Sequence, residues 1–310
     1  MPKYKIRIEP FGSLVYDTNT ATTVSLDRDE TRDYLKFKGK FPSHPKDIMA
    51  PRVVHLEITD KCSMVSPCPY CYVLASGHQT NTTSLSTDDW RKVIDILDQS
   101  GVFQVTFGGG EPMLREDLVE LVNYTSTINI NTGLTTNGKF IVPSKDSLLN
   151  KIGQVNISIH DNPEFVKIKA LVARNYTRTG ISYLCKTDSM YYLSDIVDFI
   201  EYSNNHRTQW QSEIELLLIS YKPVIGDKEK VVPSSEIMKL AKEYAPRIPI
   251  AVDGHAYNKC EGGYSFCDIS CTGEVYPCSF VRTSYGNILE EPFLDIWARM
   301  PRITECPYGE

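Results

Sequence analysis

Cys62, Cys68 and Cys71 stand just after the apolar run Val53-Val54-His55-Leu56-Glu57-Ile58-Thr59. Three thiolates on one loop can each hold an iron of a 4Fe–4S cluster, which leaves the fourth iron open to a ligand the protein does not supply. A C-x2-C pair such as Cys68–Cys71 also suits structural zinc. The feature that separates the two readings lies downstream. Gly108-Gly109-Gly110-Glu111-Pro112 follows a second β-like run, Phe103-Gln104-Val105-Thr106-Phe107. A glycine turn lets the backbone approach a small ligand closely, because no Cβ intervenes. The acid beside it can pair with an amino group. A metal-binding interaction protein has no use for that turn and acid, so the iron–sulfur reading is preferred.

The chain holds nine cysteines in 310 residues. Besides the first three, Cys260, Cys267, Cys271 and Cys278 cluster near the C-terminus, Cys306 follows, and Cys185 stands alone. Two clusters point to two metal centres rather than to disulfides in a reducing compartment. Cys271-Thr272-Gly273-Glu274 reads as a hairpin turn. Counting back along its arms sets Cys267 opposite Cys278, at the ~4.5–5.5 Å Cβ separation of directly opposed residues. Cys271 lies about 13 Å further along at ~3.3 Å per residue. The expected second ligand set is Cys260, Cys267, Cys278 and Cys306, with Cys271 in reserve. Cys185 reads as a small core residue, although its place at a strand end also admits a role near substrate.

These residues need a scaffold. Strand-like runs fall at 52–58, 103–107, 131–136, 154–159, 180–185 and 214–219. Between them lie helical patterns, the first capped by Ser86-Thr87 with Trp90, Val93, Ile94 and Leu97 on one face. Such alternation predicts an α/β fold with parallel strands, a partial (β/α)6 barrel, whose ligands sit at the carboxyl ends of the strands. Residues 1–45 read as an N-terminal β-hairpin segment, 46–230 as the barrel and 231–310 as a small C-terminal extension. The net charge of −6 argues against nucleic acid as a partner. No apolar run reaches the ~18–20 residues of a membrane span and no signal peptide opens the chain, so a cytoplasmic protein is expected.

The two cysteine clusters with the glycine turn resemble the radical S-adenosylmethionine (radical SAM) enzymes. The family's first spacing is C-x3-C, whereas this chain has Cys62-x5-Cys68. A longer loop costs little closure entropy. The resemblance implies a partial barrel whose cluster binds and cleaves S-adenosylmethionine. It assigns Cys62, Cys68 and Cys71 to that cluster, and Tyr70 to the adenine. Gly109, Gly110 and Glu111 go to the methionine amino group. Asn137, in Thr136-Asn137-Gly138, matches the family's TNG turn, and Ser158 would face the ribose or carboxylate. Ser158-Ile159-His160-Asp161 replaces the family's usual S-(I/L)-D-G, so His160, like Cys185, is a candidate catalytic residue at a strand end. Cys260-x12-Gly273-x4-Cys278, Gly286-Asn287-Ile288 and Trp297 resemble the SPASM/twitch extension, which carries an auxiliary cluster. One auxiliary 4Fe–4S cluster is expected, since only Cys306 follows.

Relatives with such extensions mostly modify ribosomally made peptides, by crosslinking, epimerisation or backbone excision. The resemblance therefore implies a precursor peptide substrate and an external electron donor such as flavodoxin or ferredoxin. The N-terminal segment is shorter than the family's leader-binding domain of about 80 residues. A separate peptide-recognition protein is expected to supply that role. A twitch enzyme acting on a nucleotide or other small metabolite is the alternative.

Overall fold

The structure, a computed structural model, describes residues 3–63, 68, 70–75, 84–128, 130–159, 162–224, 228–257, 260–304 and 306–308. A small antiparallel sheet opens it: β1 (Tyr4–Glu9), β2 (Gly12–Asp17) and β3 (Thr22–Asp27), in that order. The expected hairpin thus has a third strand, and α1 (Arg28–Leu35) follows it. Asp27 caps α1 by accepting from the Asp29 and Glu30 backbones, while the Glu30 side chain accepts from the Asp27 N–H. That reciprocal capping box is legible as Asp27-x-x-Glu30.

The main sheet has nine strands: β4 (Val53–Thr59), β5 (Gln104–Gly109), β6 (Asn131–Thr136), β7 (Gln154–Ile159), β8 (Arg178–Cys185), β9 (Ile214–Ser220), β10 (Ile250–Val252), β11 (Phe266–Ile269) and β12 (Val275–Tyr276). Their order is β10-β9-β8-β7-β6-β5-β4-β11-β12, parallel throughout except the last pair. The six expected β/α strands therefore lie side by side, and the C-terminal extension lengthens the same sheet at both edges. Helices α3 (Thr87–Gln99), α4 (Leu118–Thr127), α6 (Pro163–Ala173), α7 (Leu193–Asn205) and α8 (Ser234–Tyr244) provide crossovers, with short α2 (Tyr72–Ala75), α5 (Asp146–Leu149) and, last, α9 (Phe293–Arg299). In α3 the Ser86 side chain accepts from Asp89 N–H, and Trp90, Val93, Ile94 and Leu97 are buried as their spacing requires. One core joins the barrel to the extension: Val54, Leu56 and Ile58 share it with Cys267, Ile269, Phe293 and Trp297.

Strand alternation decides what faces inward. On β4, Val54, Leu56 and Ile58 enter the helix-covered core, so His55, Glu57 and Thr59 turn the other way. Residues of β5 to β9 on that inner side line a common cavity, so the sheet curves round it as a partial barrel. The N-terminal sheet covers the opposite end from the strand carboxyl termini. Tyr16 stacks on Phe103 at 5.1 Å between centroids and donates to Gln104 Oε1, both at the start of β5. Arg7 donates to the carbonyls of Ala50, Pro51 and Gly101.

Candidate active site

The cavity has a volume of about 470 Å3 and opens at the strand carboxyl ends. Cys62, Cys68 and Cys71 all line it, as do Tyr70, Gly109, Gly110, Asn137 and Ser158. The Cys71 N–H donates to the Cys68 carbonyl at 2.8 Å, a turn that holds those two thiols near each other. Cys62 is exposed and Cys68 and Cys71 are half-buried, so the three sulfurs are accessible at the mouth. Asn137 Nδ2 donates to Ser63 Oγ at 3.0 Å and ties the end of β6 to the cysteine loop.

The glycine turn works by close backbone packing. Gly110 N–H donates to Thr59 O and Glu111 N–H to Lys61 O, both at 2.7 Å. A Cβ on Gly109 would fall 2.3 Å from Thr59 O, and one on Gly110 2.1 Å from Lys61 O. Gly109 also has φ +108°, which favours glycine. The turn thus fixes the path into Cys62 while its bare backbone faces the cavity.

Glu111 is buried behind the cavity wall. Its side chain is 1 % exposed and is not part of the cavity wall. Oε1 accepts from Thr136 Oγ1 at 2.7 Å and Met113 N–H at 3.1 Å, and Oε2 accepts from Asn137 N–H at 2.8 Å. Burial pushes its carboxyl up, while those three hydrogen bonds pull it back. The acid braces the ends of β5 and β6, and so holds Asn137 in the wall. Cys185 is fully buried on the core side of β8, and burial, with Asp253 nearby, pushes its thiol up to about 12. It behaves as the small core residue the sequence suggested. His160 lies outside the described residues.

The second cysteine group assembles differently from the expected set. Cys278 and Cys260 flank Gly262, whose added Cβ would lie 3.2 Å from Cys278 Cβ and 3.4 Å from Cys260 Sγ. The Ile303 N–H donates to Gly262 O at 2.9 Å and brings the C-terminal segment back to them. Burial pushes the Cys278 thiol up to about 11 and raises that of Cys306, and Cys260 adds to both. Cys260, Cys278 and Cys306 therefore converge. Cys267 does not join them. The hairpin pairs Asp268 with Tyr276 and Ile269 with Val275, one residue away from the expected register. Ser270 N–H donates to Glu274 O and Gly273 N–H to Ser270 O, closing a three-residue loop with Gly273 at φ +90°. Such loops place a left-handed residue last, which shortens the loop by one relative to a four-residue count. Cys278 is therefore no longer opposite Cys267, which sits beside Val54 of β4 and faces the core, fully buried, its thiol pushed up by burial and the Asp268 charge. Cys271 is buried at the loop tip, where its carbonyl accepts from Leu85 N–H.

Phe280 from the extension and Lys222 from the end of the barrel complete the cavity. Phe280 and Lys222 line it, with Lys222 Nζ 5.1 Å from the Phe280 ring and 2.8 Å from Asp253 Oδ2. Phe280 also meets Tyr308 edge-on at 6.1 Å. Behind them, Glu57 and Asp268 surround the Arg282 guanidinium. Burial and the Asp268 charge push Glu57 well up, against the pull of Arg282. His55, on the cavity wall, is bonded to Asp268. The sequence reading missed His55, Lys222 and Phe280; only the polar inner face of β4 gave a signal for the first.

A family model for the Radical SAM superfamily matches residues 56–186, and one for the iron-sulfur cluster-binding SPASM domain matches 260–306. The chain is a radical SAM enzyme with a SPASM domain. It is 27% identical over 295 residues to the AdoMet-dependent heme synthase of Methanosarcina barkeri, covering 80% of this chain and 82% of that protein. It is 28% identical over 272 residues to the PqqA peptide cyclase of Bradyrhizobium diazoefficiens, covering 76% and 68%. Its fold matches the crystal structure of Streptococcus suis SuiB bound to precursor peptide SuiA with TM-score 0.75 at 16% identity, over 96% of this chain and 88% of that one. The cofactors are S-adenosylmethionine and a 4Fe–4S cluster, with an auxiliary iron–sulfur cluster in the SPASM domain. The residues fit them: three accessible thiols share a cavity wall with bare glycine backbone, and three further thiols gather in the extension that supplies Phe280 to that wall. Among the described residues no helix is long and apolar enough to cross a membrane.

Proposed function

We propose that the enzyme modifies a peptide held in the cavity between two iron–sulfur sites. Cys62, Cys68 and Cys71 hold the catalytic cluster on one side, and Cys260, Cys278 and Cys306 hold the auxiliary cluster on the other. S-adenosylmethionine bound beside that cluster would supply the radical chemistry that removes hydrogen from the substrate. The protein's part is to orient the substrate and exclude water. Gly109, Gly110, Asn137 and Ser158 hold the cofactor, and Tyr70 stands at the adenine. Lys222 and Phe280 bound the space left for substrate. The observation that carries the reading is this two-sided wall, in which the SPASM domain reaches the radical SAM cavity. The likeness to a peptide cyclase supports a peptide as substrate.

The reaction is a crosslink, an epimerisation or a backbone excision, with a separate recognition protein presenting the peptide and flavodoxin or ferredoxin supplying electrons. Co-expression with the peptides and small proteins encoded beside this gene, followed by mass measurement, tests it. Loss of two hydrogens identifies a crosslink, deuterium uptake at unchanged mass an epimerisation, and loss of a side-chain-bearing fragment an excision. The similarity to a heme synthase favours a second reading, a small-molecule substrate. It prevails if no neighbouring peptide changes while a metabolite is consumed with 5′-deoxyadenosine release.

A further inference from the structure

We propose that His55 is a substrate-binding residue, accepting a hydrogen bond through Nε2 from an amide N–H or hydroxyl of the substrate, with Asp268 as the positioning residue that fixes its imidazole. The inference rests on the reading of the cavity as the place of the substrate.

His55 lies mid-strand on β4 with its side chain turned into the barrel and part of the cavity wall. Its Nδ1 is 2.9 Å from Asp268 Oδ2, and Asp268 is fully buried. A carboxylate only accepts, so Nδ1 carries a proton, and in the neutral imidazole that leaves Nε2 as the acceptor. Asp268 is itself held: Ser279 Oγ donates to Oδ2 at 2.5 Å, and Arg282 NH1 stands 3.7 Å from Oδ1. Burial pushes the Asp268 carboxyl up, but His55, Arg282 and Ser279 outweigh it and keep it below the ordinary carboxylate range.

The other end of the ring is equally defined. A Cβ on Gly108 would fall 2.4 Å from Nε2. The first glycine of the run therefore makes room for an imidazole, a use distinct from that of Gly109 and Gly110. Nearby polar groups are engaged within the protein: Glu57 pairs with Arg282, and Tyr72 Oη donates to Gly109 O at 3.4 Å. Nε2 makes no hydrogen bond to a described residue. An oriented acceptor in a largely apolar wall selects a ligand that brings a donor, because an unmatched polar group there costs free energy. The SPASM domain thus reaches the barrel interior through Asp268 as well as through Phe280.

The test uses reconstituted holoenzyme saturated with S-adenosylmethionine. Diethyl pyrocarbonate acylates the lone-pair nitrogen of neutral imidazole, and mass spectrometry locates the adduct. His55 should react, and a precursor peptide encoded beside the gene should shield it. By fluorescence anisotropy with the labelled peptide, His55→Leu should weaken binding about tenfold, and His55→Gln, whose amide oxygen restores an acceptor, should recover most of it. Asp268→Asn should weaken binding in the parent enzyme and add little in the His55→Leu background, a non-additivity that a merely structural role would not produce. The inference is overturned by an unreactive His55 while exposed His206 is acylated, by undiminished reaction under saturating peptide, or by unchanged affinity in His55→Leu. If the parent enzyme binds no such peptide, the peptide reading fails, and acylation at His55 still decides whether Nε2 is a free acceptor in the cavity.

Discussion

The two cysteine sites solve opposite problems. Cys62, Cys68 and Cys71 sit on a loop at the barrel mouth, exposed or half-buried, and share a wall with bare backbone. Cys260, Cys278 and Cys306 come from three segments folded together, with Cys278 buried and its thiol pushed up to about 11. A cluster that must bind a cofactor needs an open face, so its ligands can be local in sequence and accessible. The second group, with Cys278 buried and Cys260 and Cys306 half-buried, differs in assembly: its thiols are gathered by tertiary contacts such as Ile303 to Gly262. Burial disfavours the thiolate in the second site until metal replaces the proton, which couples its assembly to folding.

That contrast can be broken most directly at the mouth. Replacing Cys62, Cys68 and Cys71 together by alanine should leave about four of about eight irons per chain and abolish 5′-deoxyadenosine formation, by iron analysis and chromatography. Residual cleavage would remove the triad from the site. At the second site, Cys278→Ala should lose the auxiliary iron. Cys267→Ala should keep it and cost only about 1–2 kcal/mol of stability, as for a small truncated core side chain. Equal iron loss in both variants would restore Cys267 as a ligand.

Glu111 offers a finer probe, because it serves the open site from behind the wall. Glu111→Ala leaves Thr136 and Asn137 donors without their acceptor and should destabilise the fold by about 2–3 kcal/mol in urea titration. Glu111→Gln should recover part of that loss. A weakened affinity for S-adenosylmethionine with unchanged stability would instead return the carboxylate to direct cofactor contact.

The smallest effect concerns Glu57, beside the buried Arg282. Its folded pKa lies above the ordinary 4.5, so between those values the folded state holds a proton the unfolded chain has released. Its contribution is present below about pH 4.5 and is lost as pH rises through the folded value, at no more than about 1.4 kcal/mol per pH unit. Glu57→Gln should flatten that part of the stability profile relative to the parent. Parallel profiles would show that Glu57 is ionised in the fold.

Much of the scaffold was legible because it follows from local pattern. Alternating strands and helices of ordinary length, Ser86 at the start of α3 and the apolar face behind it each express near-neighbour physics. The triad and the glycine turn were legible for the same reason, since short spacings bound where a loop can place its thiols. The third N-terminal strand and α1 were missed although Asp27 and Glu30 mark the helix start.

The residue types, the order of the strands in the chain and the gathering of Cys62, Cys68 and Cys71 at one cavity wall were determined by the sequence alone. Three matters were decided only by tertiary structure. A single-residue choice of loop length took Cys278 out of register with Cys267, because side chains on a strand alternate and a shift of one reverses every face of the partner strand. The pairing of β11 beside β4 placed Asp268 at His55, residues 213 positions apart. The convergence of Thr136, Asn137 and Met113 on Glu111 gave that carboxylate three partners within the protein. Each depends on contacts between segments distant along the chain, whose geometry no local spacing encodes.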